Sequence, residues 1–289
     1  MSKWLLIDGY NLTFRSFYGM PDLIRSDGFP TNAIHGWVRT LWRLLDDESP
    51  DHMVVFFDCG GDERREALQP EYKANREACP DQLSLQIPFI KELTLAMGYG
   101  GIEKKGVEAD DLIGMNAREL AESGEVVLIV SADKDLAQCV TDSVTQLLPP
   151  PTANPKLGWR RLDVEGVKIK FGVRPDQIPD YLALIGDTSD NIAGLHGVGP
   201  KTAAKWLNSY GNLERVIENC GKLKPQRFQS QVYEKADDLR CNLQMTTLQY
   251  DHKSYNLSKF KPDREKLLTL LIELEMKTAH RDASERYIK

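Results

Sequence analysis

Residues 126–135 read Val-Val-Leu-Ile-Val-Ser-Ala-Asp-Lys-Asp, and this stretch decides the predicted fold. Its five consecutive aliphatic residues are typical of a short strand that is buried on both faces of a parallel sheet. Two more apolar runs, at 4–7 and 53–57, end in the same way, at Asp8 and Asp58. Because ligands bind beyond the carboxyl ends of parallel strands, three such strands would bring their carboxylates to one edge of the sheet.

The segments between these strands have the spacing of helices, which predicts an α/β domain with a largely parallel sheet. Helical periodicity runs over 33–45, 83–97 and 110–121, and a weaker strand is predicted at Val144–Leu148. From about residue 163 the chain is predicted to be mostly helical. The helices predicted there are 174–184, 200–208, 212–218, 230–246 and 263–275.

The composition excludes several classes of protein. With 41% hydrophobic and 28% charged residues, the chain is not collagen-like, a disulfide scaffold or disordered, and its 289 residues are typical of about two domains. Its apolar runs are far shorter than the ~18 residues of a membrane span, and Asp8 interrupts the first of them too early for a signal peptide. Five widely spaced cysteines without a CxxC pair indicate reduced thiols. An unexported, cytoplasmic protein is expected.

The charges are unevenly distributed along the chain. The net charge of −6 alone argues weakly against a polyanionic partner. Basic residues nevertheless outnumber acidic ones by six to two over 151–174 and by eight to five over 200–250. The acidic residues must therefore be concentrated elsewhere.

Nine acidic residues are the candidates for chemistry. Each alone is explained as a helix cap or a turn former, but the stretch 108–111 has three carboxylates in four positions, more than capping requires. Gathered in one cleft, these side chains would repel one another unless cations were present. The nine are Asp8, Asp58, Glu108, Asp110, Asp111, Asp133, Asp135, Asp187 and Asp190.

Carboxylate oxygens without His or Cys are ligands that suit Mg²⁺ or Mn²⁺, and a surplus of them suits more than one ion. Two such ions about 3.5–4 Å apart can activate a water and stabilise the leaving oxygen in a phosphoryl displacement. The acids therefore predict phosphodiester hydrolysis. No motif for a Ser or Cys nucleophile points to a different chemistry.

Residues 194–202, Gly-Leu-His-Gly-Val-Gly-Pro-Lys-Thr, indicate a contact with phosphates. The stretch is not a P-loop, because Pro200 separates the glycine from Lys-Thr and no predicted strand precedes it. Glycines before a helix present backbone N–H groups to an anion, and Lys201 and Lys205 follow. We interpret it as a helix–hairpin–helix that binds a nucleic-acid backbone without reading bases. A tight turn between packed helices is the structural alternative.

Seven stretches together resemble the 5′-nuclease (flap endonuclease) family, most closely the bacterial 5′→3′ exonuclease domain found at the N-terminus of DNA polymerase I and as stand-alone proteins. They lie in the family's order between residues 4 and 250, and no polymerase follows, so a stand-alone nuclease is expected. The resemblance implies a PIN-like core, mostly parallel, with a helical arch and a helix-three-turn-helix subdomain. The stretches are 6–9, 27–34, 56–58, 71–76, 106–111, 133–135 and 186–192, the last continuing into 197–202.

The resemblance also implies a role for each candidate residue. Lys73 and Arg76 match the basic pair that contacts the scissile phosphate. The first metal ion would be held mainly by Asp8, Asp58, Glu108 and Asp110, and the second ion or its waters would be bound by Asp111, Asp133, Asp135, Asp187 and Asp190. The carbonyls that match a potassium site are those of Leu184, Ile185, Ala193, Leu195 and Val198. DNA contacts are expected from Arg15, Tyr72, Gly197, Gly199, Lys201, Thr202 and Lys205.

Three regions are expected: a catalytic domain at 1–174 whose segment 59–82 forms an arch over a 5′ single strand, a DNA-binding region at 175–250, and a helical extension at 251–289 that packs on the core. The implied activity is hydrolysis of DNA at 5′ flaps, ends or junctions in primer removal and repair, with Mg²⁺ or Mn²⁺ as cofactor and K⁺ at the hairpin. The expected protein is a monomer in the bacterial cytoplasm, associated with the nucleoid and not with a membrane. Alternatives left open are a DNA-junction binder that has lost its chemistry, a ribonuclease of the related PIN class and, more remotely, a scaffold protein.

Overall fold

The computed structural model describes residues 1–151, 154–250, 255, 257 and 260–287. An α/β part that carries the main sheet comes first along the chain, and a helical part follows it. Within the described residues, no helix is both long and apolar enough to cross a membrane.

Six strands form the main sheet: β1 Lys3–Asp8, β2 His52–Cys59, β3 Gly100–Lys105, β4 Val126–Val130, β5 Val144–Leu148 and β6 Arg160–Leu162. Their spatial order is β3-β2-β1-β4-β5-β6, with every pair parallel except the last. The direction of this order reverses between β1 and β4, and ligands bind beside such a switch point in open parallel sheets. A short hairpin of β7 Gly186–Asp187 and β8 Ile192–Ala193 lies in the helical part.

Helices flank the sheet and build the second part. Those of the α/β part are α1 Gly9–Gly19, α2 Asn32–Glu48, α3 Glu63–Leu68, α4 Asp81–Ala96, α5 Ala109–Glu122 and α6 Val164–Phe171. Those of the helical part are α7 Ile178–Ile185, α8 Pro200–Tyr210, α9 Leu213–Glu218, α10 Gln229–Glu234, α11 Ala236–Thr246, α12 Arg264–Glu273 and α13 Lys277–Arg286.

The central strand β1 is buried between helices on both faces of the sheet. Leu5 and Ile7 belong to a core that includes Trp37 of α2. Leu6, one residue out of phase, belongs to a second core that includes Leu112 of α5. This division follows from the two-residue period of a strand. The predicted fold class, a mostly parallel sheet flanked by helices, is confirmed.

Some elements differ from the sequence prediction. The prediction missed β3, which reads Gly-Gly-Ile-Glu-Lys-Lys and needs few large apolar residues because it lies at the edge of the sheet. It also missed β6, α1, α6 and α13. The single helix expected over 230–246 is two helices, α10 and α11, that meet at Lys235.

Most residues of the polar segment 59–82 are exposed, but three of its polar side chains are buried. The segment contains α3 and a following turn, and the side chains of Asp62, Arg65 and Tyr72 are buried. The polar groups of these three side chains are paired inside the protein.

The helical part has its own core, centred on side chains such as Leu182 of α7 and Trp206 of α8. Helix α12 instead returns to the α/β part, where Leu267 and Leu271 join the core that contains Leu5 of β1. Of the extension expected at 251–289, residues 251–254, 256, 258, 259, 288 and 289 lie outside the described residues.

Candidate active site

Five of the nine predicted acids line one cleft at the switch point of the sheet. Asp8 ends β1, Asp58 lies at the end of β2, and Asp133 follows β4. Glu108 and Asp110 join them from the start of α5, and the cleft that all five line has a volume of about 280 Å³. Lys73 and Arg76, the two predicted catalytic residues, line the same cleft.

The strand-end acids also cap helices. Asp8 Oδ1 accepts the N–H of Asn11 in the first turn of α1 at 3.0 Å. Asp58 Oδ1 accepts the N–H of Ala109, the first residue of α5, at 2.9 Å. Capping occupies one oxygen of each carboxylate and fixes its direction, so it is compatible with a second role in the cleft.

Three further acids form a second group beside the cleft. Asp135, Asp187 and Asp190 are buried, and one carboxylate oxygen from each lies within 4.8 Å of the others. Asp187 comes from β7 and Asp190 from the loop before β8, whereas Asp135 belongs to the α/β part. The two parts of the chain therefore build this group together.

Asp111 does not line the cleft and is paired with Arg65. The guanidinium of Arg65 binds Asp111 through two hydrogen bonds, of 2.8 and 3.0 Å, and Asp111 Oδ1 also accepts the N–H of Gln249. Arg65 donates further bonds to Asp62, Glu108 and the carbonyl of Met245. Both oxygens of Asp111 thus accept hydrogen bonds from Arg65.

Arg65 was missed by the sequence analysis. It is 2% exposed and lies on the short helix α3, in a segment whose glycines and charges gave no sign of burial. Its position three residues after Asp62 is the one local signal, because residues three apart share a helix face. Glu108 and Asp111 are also three residues apart, which explains why one nitrogen of Arg65 reaches both.

Tyr72, Lys73 and Arg76 connect the two acidic groups. The Tyr72 hydroxyl lies 2.8 Å from Glu108 Oε2 and 3.2 Å from Asp190 Oδ2. The Lys73 ammonium binds Glu108, and Arg76 binds Asp190 at 2.7 Å. One cation is therefore paired with each group, and a single hydroxyl contacts both.

Burial and mutual repulsion raise the pKa values of the acids. Burial, together with the nearby Asp58 and Asp133 carboxylates, raises the pKa of Asp8 to about 7. Burial raises the pKa of Asp110 and of Asp135 well above the ordinary value, and neighbouring carboxylates add to the effect. In Asp187 burial is outweighed by bonds from Lys134 and Ser189, which lower its pKa. Most of these carboxylates are thus costly to ionise in this protein without added positive charge.

The residues present fit divalent metal ions. Every candidate ligand is a carboxylate, the donor that Mg²⁺ and Mn²⁺ prefer. Asp135 Oδ1 is buried and has no hydrogen-bond partner among the described residues. A buried oxygen without a donor carries a free-energy penalty that a cation would remove.

The glycine-rich stretch lies where α8 begins. Gly197 has a positive φ of 74°, and Pro200 occupies the first turn of α8, a favoured position for proline. Lys201 and Lys205 are exposed on this helix, and neither is paired with a carboxylate of the described residues. Thr202 is half-buried near them. This helix end therefore presents unpaired positive charge to solvent.

Three of the five carbonyls predicted to bind potassium accept hydrogen bonds within the protein. Those of Leu184 and Leu195 accept the N–H groups of Leu195 and Val198, at 2.9 and 3.1 Å. The carbonyl of Ala193 accepts the side-chain amide of Asn242 at 2.8 Å. A carbonyl oxygen has two lone pairs, so each keeps one that these bonds do not use.

Two predicted DNA contacts lie away from the glycine-rich stretch and α8. Arg15 is half-buried on α1. Tyr72 is only 8% exposed, and its hydroxyl is directed at carboxylates. Of the seven residues predicted to contact DNA, those on the glycine-rich stretch and α8 share one location and these two do not.

A parallel α/β sheet with carboxylates and two cations at its switch point, followed by a helical part that adds further carboxylates, defines a class of metal-dependent nucleases. The chain belongs to the 5′-3′ exonuclease family. Residues 3–172 match the family's N-terminal resolvase-like domain, and residues 173–266 match its C-terminal SAM fold. The family predicted from the motifs is confirmed, and the protein is a hydrolase with metal-dependent 5′ nuclease activity.

Relatives support this assignment along almost the whole chain. A 5′-3′ exonuclease of Aquifex aeolicus is 39% identical over 282 residues, which is 96% of this chain and 94% of that protein. DNA polymerase I of Caldicellulosiruptor bescii is 36% identical over 284 residues. There the alignment covers 96% of this chain but 33% of the polymerase, so the chain spans about a third of that protein's length.

Solved structures show the same fold at lower identity. The 5′-exonuclease of bacteriophage T5, solved with zinc ions, superposes with a TM-score of 0.72 at 20% identity and covers 98% of both chains. The catalytic core of Rad2, solved with a DNA substrate, gives a TM-score of 0.61 at 16% identity, covering 99% of this chain and 92% of that one. These likenesses establish the fold.

Proposed function

We propose that this nuclease cleaves DNA at a 5′ flap, end or junction beside a duplex, with Mg²⁺ or Mn²⁺ as cofactor. The observation that carries the proposal is the single cleft in which strand ends and a helix start collect five carboxylates, with Lys73 and Arg76 beside them. That combination suits a phosphodiester, because the carboxylates bind metal ions and the cations bind the phosphate.

The two acidic groups correspond to two ion sites in this proposal. Asp8, Asp58, Glu108, Asp110 and Asp133 would hold the first ion. Asp135, Asp187 and Asp190 would hold the second. Bound divalent ions supply activation of a water and neutralisation of charge on the leaving oxygen. Asp133 belongs to the first group here because it lines the cleft, and Asp111 to neither because it does not line the cleft and is not one of the three acids of the second group.

Lys73 and Arg76 would stabilise the charge that develops on the scissile phosphate. Both now neutralise carboxylates, Glu108 and Asp190 respectively. When those carboxylates have another counter-charge, the two cations can pair with a phosphate at the same cleft. The proposed role thus needs no large movement of the backbone.

DNA would be held outside the cleft by backbone contacts. The start of α8, with Gly197, Gly199, Thr202 and the exposed Lys201 and Lys205, is proposed to bind the phosphates of the duplex. A potassium ion at the carbonyls of the β8 hairpin would add a positive charge there. The segment 59–82 is proposed as the arch over the 5′ single strand, since two of its residues, Lys73 and Arg76, line the cleft.

The biological setting is part of the proposal. Cleavage at 5′ ends beside a duplex is the step needed for primer removal and repair, which would place a monomer of the protein at the bacterial nucleoid. Gel filtration with and without flap DNA tests the monomeric state.

Cleavage of a labelled 5′-flap DNA with Mg²⁺, compared with EDTA, tests the proposed function. Asp133→Asn should abolish cleavage and largely spare DNA binding, since Asp133 lines the cleft and not the α8 surface. A DNA flap should be cut in preference to an RNA flap of the same sequence. Retained cleavage in EDTA, or normal turnover by the Asp133→Asn variant, would overturn the proposal.

A further inference from the structure

Lys134 lies between the two acidic groups and belongs to neither set of proposed ligands. Its neighbours in the chain diverge: Asp133 lines the cleft, whereas Asp135 belongs to the second group. The ammonium of Lys134 binds Asp187 of that second group at 2.7 Å, and the side chain is 33% exposed. A partly solvated cation is thus held on one of three carboxylates that converge.

The hydrogen bonds of Asp187 show how fully this carboxylate is neutralised. Its Oδ1 receives the Lys134 ammonium together with the backbone N–H and the hydroxyl of Ser189, at 2.9 and 2.7 Å. One oxygen of Asp187 therefore has three donors in the described structure.

The other two carboxylates of the group differ in their partners. Asp190 is paired with Arg76 and contacts the Tyr72 hydroxyl. Asp135 Oδ1 is buried without any hydrogen-bond partner among the described residues. Three carboxylates thus share two directly bound cations, Lys134 and Arg76, and the carboxylate without a bound cation is Asp135, whose buried oxygen is suited to a metal ion.

We infer that Lys134 is a built-in counter-ion of the second acidic group, which competes with the second divalent ion and sets its affinity. The inference rests on the proposed function, since it takes the second group as an ion site. Lys134 is not a ligand. It acts through Asp187, and so it is a positioning residue whose removal should strengthen metal binding.

The direction of the effect follows from electrostatics. A divalent ion that joins Asp135, Asp187 and Asp190 brings two positive charges close to the lysine ammonium. Either Lys134 stays, and the like charges repel, or it leaves Asp187 and loses a short ion pair. Both outcomes cost free energy that a neutral side chain would not. A structural lysine whose only task is to hold Asp187 in place would give the opposite result, weaker metal binding after its removal.

A titration of the intact protein with Mn²⁺ alone, without DNA, tests this inference. Free Mn²⁺ is followed by electron paramagnetic resonance, and two classes of site are expected in the wild type. Lys134→Met should lower the dissociation constant of the weaker class about tenfold and leave the stronger class unchanged. Lys134→Arg restores the positive charge and should bind Mn²⁺ like the wild type.

Lys3→Met is the matched control. Lys3 also forms an ion pair, with Glu48 at 2.8 Å, and its side chain is 29% exposed. It lies at the start of β1, the opposite end of the strand from Asp8, so its loss should not change Mn²⁺ binding. Thermal melting of each variant checks that it is folded.

The outcomes separate the inference from the proposed function. Tighter binding in Lys134→Met alone supports the counter-ion role. Unchanged or weaker binding in that variant overturns the role, and the proposed function stands if both classes of site and metal-dependent flap cleavage remain. A wild-type protein that binds no Mn²⁺ overturns the proposed function, and the inference with it.

Discussion

Arg65 is a buried side chain that forms three ion pairs. Its guanidinium is paired with Asp62, Glu108 and Asp111, and although burial alone would lower its pKa, the surrounding carboxylates raise it. The only local signal is the three-residue spacing from Asp62, because Glu108 and Asp111 come from a separate segment and meet Arg65 only in the fold. By contrast, the strand-end acids were predictable, since parallel strands send their carboxyl ends to a common edge.

Replacing Arg65 should destabilise the protein strongly. Arg65→Ala would leave buried carboxylates unpaired, and we expect the free energy of unfolding to fall by about 3 to 5 kcal/mol. Arg65→Lys keeps the charge but loses the bidentate hydrogen bonding to Asp111. Its free energy of unfolding should therefore lie between those of the wild type and Arg65→Ala. Urea unfolding followed by circular dichroism measures both.

Arg118→Ala is the control for that prediction, because Arg118 forms an exposed ion pair with Glu122 on the surface of α5. Its unfolding midpoint should stay close to that of the wild type. Equal midpoints for the Arg65 and Arg118 variants would show that the buried pairing does not stabilise the fold.

Tyr72 offers a second test at the scale of one residue. Tyr72→Phe keeps the ring in its small core with Ile192 and Met245 but removes the hydroxyl shared by Glu108 and Asp190. We expect kcat to fall roughly tenfold, because a partner that orients two proposed metal ligands is removed, while the KM for DNA stays the same. Steady-state kinetics on flap DNA separate the two constants. A change confined to KM would identify Tyr72 as a DNA contact, as the sequence resemblance implied.

At the scale of elements, helix α8 was the most predictable piece of the helical part. Pro200 fits the first turn of a helix and glycines precede it, so its start was fixed by local chemistry, and the helix ends at Tyr210, two residues beyond the expected 208. The break at Lys235 between α10 and α11 has no such signal. Strand β3 was also missed, because the charged residues Glu103, Lys104 and Lys105 make its sequence resemble that of a loop.

The exposed lysines of α8 give a prediction about DNA affinity. The double variant Lys201→Ala and Lys205→Ala should raise the KM for flap DNA and leave kcat unchanged, because both lysines lie outside the cleft. The slope of log affinity against log salt should decrease by roughly 0.9 for each phosphate that the variant no longer neutralises. Fluorescence anisotropy at several salt concentrations measures the slope.

Lys277→Ala, on the exposed surface of α13, serves as the control. It should change neither the KM for flap DNA nor the slope of log affinity against log salt. If the α8 variant and this control bind DNA alike, the duplex is held by another surface.

At the scale of the whole molecule, the acidic cleft should lower stability until metal is bound. Saturating Mn²⁺ should raise the melting temperature by about 5 to 10 °C, as expected for a chain of this size and a ligand at about a hundred times its dissociation constant. Asp110→Asn should raise the melting temperature of the metal-free protein, since burial and the neighbouring Asp111 and Glu108 make the charged form unfavourable. It should also reduce the response to Mn²⁺.

Calorimetry in EDTA and in Mn²⁺ measures both effects. Glu122→Gln, which removes an exposed carboxylate of α5 that is far from the cleft lining, is the control and should keep the full response. A metal-free Asp110→Asn variant that melts below the wild type would contradict the electrostatic account.

The whole-molecule outline was largely predictable, but the way the two parts join was not. Motif order gave the sheet, the helical part and the family, because each motif is local in sequence. The joint depends on distant hydrogen bonds, such as those of Arg64 and Arg65 of α3 with the carbonyls of Gln244 and Met245 at the end of α11. Such bonds produce no periodic pattern in the sequence of either segment, so they cannot be predicted from it.

The hairpin of β7 and β8 has a consequence for the exchange of modules between proteins. Asp187 and Asp190 belong to the region matched by the C-terminal family domain, yet they complete a carboxylate group whose third member, Asp135, precedes it. A chimera that replaces everything after residue 172 with a foreign duplex-binding module would lose two of the three acids along with the proposed DNA-binding surface of α8. If these acids hold the proposed second ion, recombination can exchange substrate preference in this scaffold only when residues 186–193 stay with the N-terminal part.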